Sequence, residues 1–259
     1  MPVQVITGNQ AAGYALSVAG EANRTGRGVA CGIYPITPQT EIVEYVARFP
    51  FSKGRVVPVE SEHSAMAVSM GASLNGARAF TASSANGLAY MVENIMVAGY
   101  YRLPIVMVAV NRTLGPPWNI WADQGDTLML RDFAWLQFYC ETNQEVLDTT
   151  LLAFRLAEDR RILLPVLTCM DAFIVSHTQT ETTLPEQAEV DRFLPDLDLP
   201  QRMHYDEART LGGLAWPHEG LSMRLEIDEA MSRVPGVYQE CRDEFKEIFG
   251  RDPGDMIQT

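Results

Sequence analysis

The chain has 259 residues, 47% of them apolar and 20% charged, with a formal net charge of −13. That length and balance suit a packed globular protein of one large domain with an extension. The acidity excludes sequence-independent binding to nucleic-acid phosphates, and no apolar run approaches the roughly 20 residues that span a bilayer.

In chain order, the opening MPVQVITG lacks the basic start and long apolar core of a signal peptide, so a cytoplasmic location is expected. Thr7 or Asn9 can cap a helix reaching about Ala22, with Ala11, Ala12, Ala15, Leu16 and Ala19 as its packing face. Gly26 and Gly28 end it, and residues 29–33 predict a short buried strand. After the turn Tyr34-Pro35-Ile36-Thr37-Pro38 come a helix over 38–49, a strand over 55–60, a helix over 64–74 and a strand over 77–82. One helix over 86–101, an apolar strand over 104–110, a strand over 136–140, a helix over 144–159 and a strand over 163–169 complete the series.

Apolar strands alternating with helices predict an α/β fold whose doubly wound parallel sheet is covered on both faces. Right-handed crossovers bring every strand-to-helix loop to one sheet edge, where such folds bind ligands. Residues 1–178 are assigned to this domain and 179–259 to an extension. Residues 184–202, with Pro185, Pro195 and Pro200 and no clear period, read as an extended arm lying over a surface. Its acids, from Glu181 to Asp198, face only Arg192, which a solvated segment explains. Helix returns over 219–249.

Four residue groups sit at the predicted ligand edge. Glu62, at a strand-to-helix junction, either favours the helix dipole or hydrogen-bonds a cofactor nitrogen; Glu60 is its rival, because strand alternation puts both on one side. Arg112 directly follows the apolar strand 104–110, where a guanidinium can grip a carboxylate with two parallel donors or form a surface ion pair. Thr37 lies between two prolines that stiffen its turn, as a ligand-facing hydroxyl or a helix cap. Ser83-Ser84-Ala85-Asn86-Gly87 offers a polar helix start but matches no phosphate-loop fingerprint. The segment 115–131, with Trp118, Trp121, Asp123 and Asp126, reads as an active-site loop or as a packed tryptophan cluster. The four cysteines, Cys31, Cys140, Cys169 and Cys241, are widely separated with no CxxC pair. Cys31, Cys140 and Cys169, in or beside apolar strand-like runs, predict reduced core thiols, and the spacing of the four supports no metal site on this chain. His63, His177, His204 and His218 form no defensible catalytic or metal-ligating spacing.

The segments GNQAAGYA (8–15), YPITPQTEI (34–42), VESEHSAMAVSMGASLNGARAFTASSANGL (59–88) and NRTLGPPWNIWADQGD (111–126) resemble the α subunit of 2-oxoacid:ferredoxin oxidoreductases, closest to the pyruvate type. LAEDRRILLPVLTCMDAFIVSH (156–177) and EVDRFLP (189–195) extend the resemblance over nearly the whole chain. It implies a pyrimidine-binding domain of the thiamine diphosphate kind, with Glu62 matching the glutamate that hydrogen-bonds the aminopyrimidine ring. It further implies Pro35, Ser84 and Asn86 beside the cofactor, and Thr37 and Arg112 at the substrate's carboxylate and carbonyl end. The activity implied is oxidative decarboxylation of pyruvate or a related 2-oxoacid to acyl-CoA and CO2, with electrons passed to ferredoxin.

The remaining machinery is expected on partner chains. No cysteine cluster and no GDG-plus-Asn motif occurs here, so the [4Fe-4S] clusters, Mg2+ and the diphosphate end of the cofactor are assigned to β, iron–sulfur and γ-type subunits. The family's α subunit usually continues into a transketolase carboxyl-terminal-like domain past the point reached by residue 259. That domain is absent here, lost, or supplied by another polypeptide. Ala122-Asp123-Gln124 and the bulky Pro116-Pro117-Trp118 depart from the pyruvate-type pattern and imply a shifted pocket, for another small or an aromatic 2-oxoacid. Thr37 in place of a basic residue argues against a dicarboxylic substrate. The alternatives are a non-oxidative, aldehyde-releasing thiamine decarboxylase and a non-catalytic structural subunit.

Overall fold

The computed structural model describes residues 1–257 apart from Gln201, Tyr205, Ala208, Arg209 and Leu211. Strand β1 (Val3–Thr7) leads into α1 (Gly8–Glu21), β2 (Val29–Ile33), α2 (Thr40–Arg48), β3 (Gly54–Pro58), α3 (Glu62–Leu74) and β4 (Arg78–Ser83). Helices α4 (Ala85–Tyr90) and α5 (Val92–Tyr100) precede β5 (Ile105–Asn111), α6 (Gly125–Leu128), β6 (Leu136–Cys140), α7 (Asn143–Ala157) and β7 (Val166–Asp171). Strand β8 (Gln179–Thr183), α8 (Gln187–Phe193) and α9 (Pro217–Phe249) follow.

Six strands form one parallel sheet in the order β3-β2-β4-β5-β7-β6, as the alternation predicts. The pleat sorts its side chains into two cores. Phe80, Ala82, Val106, Val108 and Val110 face α1, α2 and α7, where Leu16, Ile42 and Leu151 meet them. The intervening Ala79, Ile105, Met107 and Ala109 face Met66 of α3, Leu88 of α4 and Ile95 of α5. With β4 and β5 buried along their whole length, the loops after them are fixed on a rigid frame.

Helix α1 begins with a capping box in which Thr7 Oγ1 accepts from Gln10 N–H and Gln10 Oε1 accepts from Thr7 N–H, at 3.1 and 3.0 Å. The close approach of α3 to β2 depends on Gly32, where a Cβ would stand 2.3 Å from the Ala65 carbonyl oxygen.

Four features differ from the sequence reading. Strands β1 and β8 pair antiparallel as a separate two-stranded sheet, Val3 opposite Thr183, which was not predicted. The predicted helix over 86–101 is two helices meeting at Met91. Strand β3 ends at Pro58, short of Glu60. Within the proposed extended arm, of which position 201 lies outside the described residues, Gln187–Phe193 is helical with a Glu186/Glu189 capping box. That helix is held by Arg24, whose guanidinium donates to both oxygens of Asp191 at 2.8 and 2.6 Å. It is also held by Phe193, which packs edge-on against Phe245 and Phe249 of α9. Val190 and Phe193 belong to the same core as α1 and α7.

At the opposite end from the predicted ligand edge, the fully buried Arg78 pairs with Glu158 through two bonds of 2.6 and 2.7 Å and donates to the carbonyls of Ala19 and Pro195. Removing one partner of a buried pair strands the other charge. Arg78→Met is therefore expected to lower unfolding stability by about 3–5 kcal/mol, read from the denaturant midpoint of the purified protein; a midpoint shift under about 1 kcal/mol would contradict this role.

Candidate functional site

The strand-to-helix loops of β2, β3, β4 and β5 share the carboxyl edge of the sheet, as the topology requires. The β2 loop is held from behind. Buried Asn9 donates to the Pro38 carbonyl at 2.8 Å and Gln39 donates to the Tyr34 carbonyl at 2.8 Å. Pro35 and Thr37 remain exposed at the rim of this tethered turn.

Glu62 opens α3, following Ser61, whose Oγ accepts from Ser64 N–H at 3.3 Å. Its first-turn position favours a carboxylate, and its side chain is buried. Glu60 and Glu62 do not share a side here, because the strand stops at Pro58 and alternation no longer applies. Glu60 is exposed and accepts a short hydrogen bond from the Ser64 hydroxyl, which holds its pKa below the usual range. Glu62 instead turns inward against α4. A Cβ added at Gly87 would lie 2.7 Å from Glu62 Oε1 and 2.5 Å from Ser83 Oγ, so the glycine leaves the space that the carboxyl fills.

Polar atoms beside it lack partners. Ser83 Oγ and Ser84 Oγ are buried without a hydrogen bond among the described residues. Ser84 stands at the N-cap of α4 yet makes no side-chain capping bond. Each unsatisfied buried hydroxyl costs about 1–3 kcal/mol, and such a cluster beside a buried carboxyl is the arrangement a polar ligand would complete. Asn86, read from sequence as a cofactor contact, has its amide engaged elsewhere: it donates to the Gly115 carbonyl at 3.4 Å and accepts from Gly115 N–H at 3.3 Å.

Arg112 is the residue after β5 and is 91% shielded, with 9% of its surface exposed. Its Nη1 donates to the Asn119 carbonyl at 3.4 Å, while its Nε is buried without a partner. Burial pushes its pKa down and the charge of Asp126 acts against that. A shielded guanidinium with an unused donor is suited to an anionic ligand.

The segment after Arg112 folds back on itself. Asn119 Oδ1 accepts from Thr113 Oγ1 at 2.9 Å and Trp121 N–H at 3.1 Å, and Trp121 packs edge-on against Phe173 with centroids 5.7 Å apart. Gln124 donates to Asp171 at the end of β7. Trp118, Ile120 and Trp121 stay exposed, as do Tyr90 of α4 and Ile174 beyond β7. These apolar side chains remain in contact with solvent on the described surface.

Sequence reading named Asp126 only as part of a loop. The structure makes it a hub: its carboxylate is fully buried and accepts from Ala85 N–H at 2.9 Å, Arg112 N–H at 3.2 Å and Asn111 Nδ2 at 2.8 Å. Its only local signal was an acid in the first turn of a four-residue helix.

All four cysteines are buried free thiols. Burial raises the pKa of each, that of Cys241 to about 11, so none is a ready nucleophile. Among the described residues no group of His, Cys, Asp or Glu is arranged to hold a metal, and no helix is long and apolar enough to cross a membrane. A groove of about 640 Å³ lies elsewhere, between edge strand β6, α9 and the terminal segment, and contains none of these residues.

The family model described as pyruvate flavodoxin/ferredoxin oxidoreductase, thiamine diphosphate-binding, matches residues 22–243. The chain belongs to that family. Pyruvate synthase subunit PorA of Methanothermobacter thermautotrophicus is 42% identical over 257 residues, which cover 98% of this chain and 65% of that protein. Ketoisovalerate oxidoreductase subunit VorA of Pyrococcus horikoshii is 44% identical over 261 residues, covering 99% and 64%. The chain of this oxidoreductase family thus spans just under two thirds of the length of these relatives. A 2-oxoglutarate:ferredoxin oxidoreductase from Magnetococcus marinus, solved with 2-oxoglutarate, coenzyme A and succinyl-CoA, shares the fold, with a TM-score of 0.71 at 22% identity over 90% of this chain and 45% of that one. The family read from the motifs is the one these comparisons return.

Proposed function

We propose that the chain is a subunit of a thiamine diphosphate-dependent 2-oxoacid:ferredoxin oxidoreductase, contributing the pyrimidine half of an active site completed by a partner. The observation that carries this reading is the buried Glu62 carboxyl beside the unpartnered Ser83 and Ser84 hydroxyls, on the same edge as the half-satisfied Arg112. In a member of this family, that set fits an aminopyrimidine ring next to a small carboxylate.

Thiamine diphosphate, when bound, supplies the electron sink for breaking the bond to the carboxylate carbon. Glu62 reaches the ring from a buried position, where a hydrogen bond is shielded from competing water. Ser84 and the rim at Pro35 contact the same group, and Asn86 supports it indirectly by anchoring the loop at Gly115. Arg112 binds the 2-oxoacid carboxylate through its fork of donors, and the exposed Thr37 hydroxyl meets the carbonyl end. Trp118 and Trp121 are covered when the diphosphate-binding partner docks, which excludes water from the site.

Relatives named for pyruvate and for ketoisovalerate are similar to this chain in nearly equal degree, which favours a small monocarboxylic 2-oxoacid as substrate. Products would be acyl-CoA and CO2, with electrons passing through iron–sulfur clusters on partner subunits to ferredoxin, in the cytoplasm. Native purification with cofactor analysis tests this. Copurifying subunits carrying iron, acid-labile sulfide and thiamine diphosphate are the expected result. A complex with the cofactor but without iron would replace the reading with aldehyde-releasing decarboxylation, and a lone chain with neither would overturn it.

A further inference from the structure

We infer that Asp126 is a positioning residue that ties the substrate-binding Arg112 to the cofactor-facing start of α4, holding the two halves of this edge in one register. The inference rests on the roles given above to Arg112 and Glu62.

Asp126 distributes its hydrogen bonds across the site. One carboxylate oxygen, Oδ2, accepts from Ala85 N–H at 2.9 Å and from Arg112 N–H at 3.2 Å; the other accepts from Asn111 Nδ2 at 2.8 Å. The donors come from the ends of two neighbouring strands, β4 and β5, which pair in parallel. Ala85 has a φ of 41°, the left-handed region that a residue with a side chain avoids, and such a conformation persists only where its surroundings enforce it. The bond to Asp126 is one such enforcement. Immediately before Ala85 lie the unpartnered hydroxyls of Ser83 and Ser84, and two residues after it lies Gly87, which abuts Glu62.

The same carboxylate acts on Arg112 without occupying it. Asp126 supplies the negative charge that offsets the burial of the guanidinium, yet its oxygens are spent on N–H groups, and no ion pair joins the two side chains. The guanidinium, charged in any protein setting, is thus left without a bond to this carboxylate. Asn111 and Thr127 hold the hub in place: Asn111 Nδ2 also donates to Thr127 Oγ1 at 2.8 Å, and Thr127 Oγ1 lies 3.0 Å from Tyr139 Oη. Burial raises the pKa of this carboxyl, and the hydrogen bonds from Asn111, Ala85 and Arg112 act against that shift.

The test is steady-state kinetics of the assembled complex carrying Asp126→Asn. The amide retains one oxygen for Ala85 and Arg112 but turns an N–H2 toward the Asn111 amide. The KM for the 2-oxoacid is expected to rise about tenfold or more, with the KM for coenzyme A within about twofold of wild type. An accompanying melt separates this split from general loosening, which would move both constants. Where Asp126→Asn does not assemble, Asn111→Ser removes one donor and leaves the carboxylate; the same KM should then rise about threefold or more. An unchanged 2-oxoacid KM in an assembled variant overturns the inference. Arg112→Lys is the control: if it raises that KM while Asp126→Asn does not, only the role of Asp126 fails. If the wild-type complex shows no 2-oxoacid-dependent turnover, the functional reading itself fails.

Discussion

Glu62→Gln in the assembled complex is expected to lower 2-oxoacid turnover by about 10²–10⁴-fold, the range over which a positioned acid or base contributes. Glutamine has nearly the same shape, so it fills the space left by Gly87 and leaves Ser83 and α4 where they are. What it lacks is a group that holds and releases a proton. Stability should change little, because the neutral isostere removes a desolvation cost but also loses the carboxylate's favourable place in the first turn of α3. The melting temperature is therefore expected close to that of wild type, and cofactor content should remain measurable. Turnover within about threefold of wild type would remove Glu62 from the chemistry. The equivalent change at Glu60, exposed and hydrogen-bonded to Ser64, should leave turnover unaffected.

The second large effect is expected at Arg112. Hydrogen bonds to a charged group contribute about 1.5–3 kcal/mol, so Arg112→Ala should reduce kcat/KM for the 2-oxoacid by about 10- to 150-fold. Its Nε has no partner among the described residues and its Nη1 has one long bond, so little internal structure is lost with the side chain. Arg112→Lys separates charge from shape. The ammonium keeps the charge but not the planar fork, and kcat/KM is expected to fall about tenfold. A lysine variant equal to wild type would mean that only a point charge is needed, and that the substrate carboxylate is not gripped by two parallel donors.

Much of this arrangement was legible in the sequence because it follows from burial. Strand β5 is apolar on both faces up to Val110, which marks a covered parallel sheet, and the alternation of strands with helices brings Thr37, Glu62, Ser84 and Arg112 to one edge. What was missed depends on distant partners. Val3 to Thr7 and Gln179 to Thr183 are short strands with largely exposed residues, and each finds its pairing strand far away in the chain. Helix α8 is two turns of mostly polar sequence between prolines, and its stability comes from Asp191 meeting Arg24 and Phe193 meeting α9. Glu60 and Glu62 were inseparable by alternation because the end of β3 is set by pairing with β2, and Pro58 opposite Ile33 is the last pair. Asp126 was invisible for a related reason. Its donors include the backbone N–H groups of Ala85 and Arg112, which leave no trace in residue identity.

The measurement that bears most directly on the half-site is a calorimetric titration of thiamine diphosphate with Mg2+, made on the isolated chain and on the complex reconstituted with its diphosphate-binding partner. Glu62, Ser83 and Ser84 offer contacts for the ring end alone, so the isolated chain is expected to bind weakly and the complex to bind tightly and stoichiometrically. Sub-micromolar binding by the isolated chain would contradict a site divided between subunits.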